Sequence, residues 1–147
     1  MATFNKLNGF VEHLDEKVHN LGSDQLVIAL SNTAPGSEGT PPTGSTAACI
    51  LANVTQVSYA NLSTRNVTTS SSEQTAGTYK LVCADLVLTS SGGTTGPFRY
   101  VYLYNDTPTS PADPLICYWD YGSSITLNSS EFLTIDFSAA SGVLTVA

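Results

Sequence analysis

The chain has 147 residues, twelve acidic against five basic side chains and a net charge of -7, which suits one domain able to bury roughly 70% of its unfolded surface. Lys6, Lys17, Arg65, Lys80 and Arg99 are its only fixed cations, too few and too scattered to neutralise a nucleic-acid backbone or hold an anionic membrane, and both partners are excluded on that ground. Charged residues make up only 12% of the chain, and Ser, Thr and Asn dominate the polar remainder, a composition associated with extracellular and virion structural proteins.

The first element in chain order is an amphipathic helix over residues 4–21. Phe4, Leu7, Val11, Leu14, Val18 and Leu21 recur at intervals of three and four, with Phe10 beside them, and Lys6, Glu12, His13, Glu16, Lys17 and His19 lie largely off that stripe. Thr3 can cap its start and Gly22 its end. The stripe either packs on the chain's own β-core or docks on a neighbouring subunit, so Phe4, Leu7, Val11, Leu14 and Val18 are interface candidates. Polar residues interrupt every apolar run here, which gives neither a signal peptide nor a membrane span and implies synthesis in a cytoplasm.

Residues 1–22 are thus one helical unit, and residues 23–147 a single β-domain with a loop-rich segment over 33–78. Residues 25–32 read as a central strand. Residues 33–46 are too rich in Pro and Gly to hold regular structure, and residues 47–61 are ambiguous between helix and strand. A short strand over 65–69, a mobile polar loop over 70–77 and a longer strand over 79–88, bulged near Ala84 and Asp85, follow. After a turn-rich connection come aromatic and β-branched runs over 98–104, 115–121, 132–137 and 143–146, separated by turn residues. One helix and six to eight short strands predict a mainly β fold, an antiparallel β-sandwich of jelly-roll type.

Alternation places Tyr100, Tyr102 and Tyr104 on one face of their strand and Val101 and Leu103 on the other, so the phenols are expected at a wet or partner surface. The same rule sets Tyr118 with Asp120 and Trp119 with Tyr121 and Cys117. Tyr100, Tyr102, Tyr104, Trp119 and Tyr121 therefore join the interface candidates, with stacking of a glycan as a further use.

Signals for bond-making chemistry are absent. His13 and His19 are six residues apart, whereas a zinc-protease helix needs its two histidines about four apart on one face; here they are expected to point apart into solvent. There is no nucleophile elbow and no phosphate-binding glycine loop. Asp106, Asp113 and Asp120 match no calcium loop and read as turn formers. The pairs Asp15 with Glu16 and Glu131 with Asp136 lack a cleft that would make them glycosidase carboxylates. Cys49, Cys83 and Cys117 read as buried free thiols, and the sequons at Asn53, Asn61, Asn66, Asn105 and Asn128 as the product of a Ser/Thr/Asn-rich chain. No catalytic, cofactor-binding or metal-binding residue is expected.

The segments GPFRYVYLYNDT and DPLICYWDYGSSITLNSSEFLTIDFSAASGVLTVA, with the opening FNKLNGFVEHLDEKVHNLGSDQLVIALSNTAP, resemble small virion proteins of tailed bacteriophages, similar to head decoration, or cement, proteins. The resemblance covers most of the chain and leaves a variable middle; Cys117 stands where it implies a small residue such as Gly. It implies a non-enzymatic capsid-surface protein, with the major capsid protein and further copies of itself, as dimer or trimer, for partners. In that setting the helix or the 33–46 loop would grip the shell or a sister subunit. A tail- or fibre-associated receptor- or glycan-binding protein is the alternative.

Overall fold

Two long strands carry the fold, β7 (Thr95–Asn105) and β8 (Leu115–Leu127), in a computed structural model that describes residues 2–147. Both are dense in aromatic and β-branched residues, which suit a pleated surface packed on both faces. Their antiparallel ladder is interrupted three times, once where Gly96 and Pro97 oppose the single residue Thr126. Ile116 is an extra residue between the Leu103–Cys117 and Tyr104–Leu115 pairs, and residues 121–124 bulge out between the Tyr100–Asp120 and Phe98–Ile125 pairs. Gly122 supplies the left-handed backbone, φ +94°, that this last bulge requires.

β2 (Leu26–Ser31) pairs with β7, β1 (Thr3–Lys6) with β8, and the two-residue β3 (Asn66–Val67) with β2, giving an antiparallel sheet in the order β1-β8-β7-β2-β3. A second sheet has the order β10-β5-β4, from β4 (Thr69–Thr75), β5 (Thr78–Cys83) and β10 (Leu144–Val146). β6 (Leu86–Thr89) pairs with β9 (Phe132–Ile135). Strand outweighs helix, 46% against 8%, so the chain is mainly β with antiparallel sheets and one α-helix, α1 (Asn8–Asp15). The sheets do not close on one another.

The centre of the large sheet is dry on both faces. On one, Ile28, Leu30, Val101, Leu103 and Cys117 pack with Leu81, Leu88, Phe137 and Val143 from the smaller sheets and their connections. On the other, Val27, Ala29, Tyr100, Tyr102 and Tyr104 pack under Cys49, Leu51 and Val54. Residues 34–54 form this cover as a strap, with one short 3-10 turn at Leu51–Asn53. Leu51 N–H donates to the Asp113 carbonyl at 3.0 Å, and Leu115 N–H donates to the Cys49 carbonyl at 2.9 Å. Glu38, buried, accepts from the backbone N–H and the hydroxyl of Thr55. The ambiguous 47–61 stretch is therefore neither helix nor strand for most of its length.

Several expectations change. The helix covers 8–15 rather than 4–21, because Phe4 extends in β1 opposite Trp119 and the chain turns at Lys17. Val18 N–H donates to the His13 carbonyl and Lys17 N–H to the Leu14 carbonyl, with Lys17 at φ +64°. That is a Schellman stop with lysine in the place glycine usually takes. The polar loop over 70–77 is instead β4 and its turn into β5; Ala76 and Gly77, both at positive φ, make the tight hairpin. The 79–88 run breaks at Ala84 and Asp85 into β5 and β6, which belong to different sheets.

Candidate docking surface

β1 brings Phe4 across from Trp119, and the rings meet edge to face with centroids 5.8 Å apart. Trp119 meets Phe137 in the same way at 5.9 Å. Phe137 lies beyond β9, turned inward where its N–H donates to the Asp85 carboxylate at 2.9 Å. Tyr121 follows Trp119 at the start of the bulge. The bulge is held by Asp120, which accepts the Gly122 N–H at 2.8 Å and two bonds from Arg99 at 2.7 and 2.8 Å. The Arg99 hydrogen bonds hold the Asp120 carboxyl below its usual range.

These rings line an open groove of about 580 Å³. Leu133, Ile135 and Val143 line it too, as do the polar residues Asp136, Ser138 and Ser141. Phe4 and Tyr121 are 42% and 53% exposed, so much of their apolar area faces water. At Phe4 and residues 141–143 the groove runs into a second hollow, of about 500 Å³, between β1, α1 and β10.

Of the ten interface candidates, Phe4, Trp119 and Tyr121 converge on the groove, and Val11 and Leu14 line the adjoining hollow. Val18 is half-buried beside the helix stop. Leu7, Tyr100, Tyr102 and Tyr104 are buried inside the chain. The expectation that the three phenols reach a wet or partner surface is thereby corrected: the strap covers them. Burial pushes the Tyr102 and Tyr104 phenols up, and the Tyr102 hydroxyl has no hydrogen-bond partner among the described residues. Phe132, Leu133 and Val146 also contribute exposed or lining apolar surface.

The two histidines do not point apart into solvent. The reversal at Lys17 folds His19 back over His13, with ring centroids 5.9 Å apart and both side chains buried. Asn105 Nδ2 lies 3.2 Å from His19 Nδ1 and donates to the Asp24 carboxylate at 2.6 Å. His13 Nδ1 and His19 Nε2 are buried without partners among the described residues. Burial, then the neighbouring His13, pushes His19 down to about 4, and burial lowers His13 against the pull of Glu12 and Glu16.

Cys49, Cys83 and Cys117 are free and buried, as the sequence implies. Among the described residues no group of three or more His, Cys, Asp or Glu side chains converges, and no helix is long and apolar enough to cross a membrane. Comparison with protein-family models, with curated proteins and with solved structures found no match to this chain.

Proposed function

We propose that this chain is a structural virion subunit that decorates and stabilises the capsid of a tailed bacteriophage, with the major capsid protein and further copies of itself as partners. The observation that carries this reading is the convergence of Phe4, Trp119 and Tyr121, two of them largely exposed, on an open apolar groove. Aromatic side chains bury large area at little rotamer cost, which suits them to anchor an interface. The resemblance of the chain's two ends to phage head decoration proteins supplies the setting. Its body is read as a β-sandwich of jelly-roll type whose two smaller sheets face the large one, and its work as adhesion without bond-making chemistry. On a shell, many copies raise the effective concentration of each further contact, so modest interfaces hold.

The test is occupancy of purified shells by the wild-type chain and by a Phe4→Ser, Tyr121→Ser variant. Exposed positions leave the fold intact, so circular dichroism should be unchanged while occupancy falls at least about tenfold, the equivalent of 1.4 kcal/mol per site. Full occupancy by the variant would remove the groove from the contact.

One arrangement favours a second reading, a tail- or fibre-associated glycan-binding protein. Trp119 and Tyr121 share the groove with Asp136, Ser138 and Ser141, the combination of ring face and hydrogen-bonding groups that a sugar needs. Glycan-array binding that vanishes in Trp119→Ala would establish it, and an empty array would remove it.

A further inference from the structure

We infer that the Asp113–Pro114 peptide bond is a self-cleavage site, at which the Asp113 carboxyl cuts the chain in mild acid into residues 1–113 and 114–147. Aspartate followed by proline occurs once in the sequence, and it falls where the connection between β7 and β8 rejoins the sheet. Asp113 holds a left-handed backbone, φ +51°. Aspartate tolerates that region better than most residues, but the residue before a proline is pushed toward extended backbone, so the position is strained. Strain of this kind gathers where chemistry uses it.

The surrounding hydrogen bonds fix the scissile group. Leu51 N–H donates to the Asp113 carbonyl at 3.0 Å, and Asn105 N–H donates to the Pro114 carbonyl at 3.0 Å. Leu115 N–H donates in turn to the Cys49 carbonyl, so the strap is tied to both sides of the bond and splints it. Pro114 is buried, Asp113 half-buried and Ala112 exposed, which leaves the site within reach of water. No cation pairs with the Asp113 carboxyl among the described residues. Facing it are the Asp106 carboxylate and the Tyr104 phenol, with Arg65 close to that phenol. Strap residues 49–53 bring only the Cys49 thiol, and residues 107–112 bring no titratable group. Burial first, then Asp106, raises the Asp113 carboxyl above its usual range, so it carries its proton in milder acid than an ordinary aspartate.

The step balances with water as its one co-reactant. A carboxyl oxygen of Asp113 adds to the residue's own backbone carbonyl carbon and closes a five-membered ring, with the advantage of two groups held in one residue. Negative charge grows on the carbonyl oxygen, to which Leu51 N–H already donates. The carbon–nitrogen bond then breaks, its electron pair stays on the proline nitrogen, and that nitrogen takes the carboxyl proton. One water opens the cyclic anhydride to a carboxyl-terminal Asp113. Nothing is oxidised or reduced. The cut happens once in each chain and turns over no substrate, so it goes beyond the docking reading and does not depend on it. β8 stays between β1 and β7, and the two pieces remain one folded body.

The experiment incubates the full chain at about pH 5, folded and in urea, and follows intact mass. The folded chain should yield the two fragments at least about tenfold faster than the unfolded one, because only the fold presets the ring closure. The rate should rise as pH falls from about 7 to about 5 and the carboxyl gains its proton. Nicked protein should keep its circular dichroism and elution volume and separate only under denaturing conditions. Asp113→Asn, which removes the attacking oxygen, and Pro114→Ala, which makes the leaving nitrogen poorer, should each slow cleavage at least about tenfold. An uncut chain, cleavage as fast in urea as in the fold, or either variant cut at the wild-type rate overturns the inference. A chain that unfolds at this pH and is cut at the urea rate overturns it as well.

Discussion

A β-carbon placed on Gly9 would lie 2.5 Å from the Cys49 β-carbon and 2.9 Å from the Thr46 α-carbon. The first turn of α1 and the strap therefore touch with no room for a side chain between them. Gly9→Ala would favour an isolated helix by about 1 kcal/mol. Here it must push backbone aside and should instead destabilise the chain by about 1–3 kcal/mol. The midpoint of urea unfolding checks the sign, and a gain in stability would mean that strap and helix do not meet there.

Tyr102 is fully buried with an unpartnered hydroxyl. Leaving such a group unsatisfied costs about 1–3 kcal/mol, so Tyr102→Phe, which keeps the ring and removes the oxygen, should raise stability by about 1 kcal/mol. Tyr102→Ala should lower it by about 3–5 kcal/mol through the cavity left beneath the strap. Opposite signs for the two variants in thermal melts are the expected result.

Acid should loosen the amino-terminal end before it loosens the rest. Both histidines are lowered in the fold, His19 from 6.5 to about 4, so between those values the unfolded chain binds protons that the native chain refuses. Stability is complete above pH 6.5 and falls as pH drops toward 4. His19 alone accounts for about 3 kcal/mol of that fall, and His13 acts in the same direction, opposed by Glu12 and Glu16 as Asp24 opposes the shift at His19. In His19→Gln the slope of unfolding free energy against pH should flatten across this window. Asp120, whose carboxyl is lowered below 3.8 by Arg99, acts only in stronger acid and does not confuse the measurement.

Lys17 holds a left-handed backbone at φ +64° at the helix stop. Glycine adopts that conformation without the steric cost of a β-carbon, so Lys17→Gly should stabilise the fold by about 0.5–1 kcal/mol. A rise in melting temperature with an unchanged denaturant slope is the expected outcome.

The sequence made the central strands legible because β2, β7 and β8 are apolar enough to name themselves. It hid the strap, since Pro, Gly and Ser over residues 34–46 carry no period, and what they cover is set by distant strands. It hid β4 as well. TSSSEQT is largely exposed at the edge of its sheet, with no buried face to impose alternation. The helix was overextended because Phe4, Val18 and Leu21 are apolar for other reasons: one faces a tryptophan from a strand, and two follow a turn that glycine does not mark. Phe4, Trp119 and Tyr121 could each be named in advance. Their meeting could not, because it depends on β1 pairing with β8 from the opposite end of the chain.

The pairing of β1 with β8 and β2 with β7 also sets when this chain can fold. Until Thr95–Leu127 has left the ribosome, β1 has no neighbour, and β2 has only β3, its backbone bonds with Val57 and Arg65, and the strap over Val27 and Ala29. The edge of the LVIAL run that pairs with β7 waits unpaired through most of synthesis. Nascent chains crowded on one messenger would then trade that strand with one another, and exchange of β2 between copies is the misassembly this topology invites.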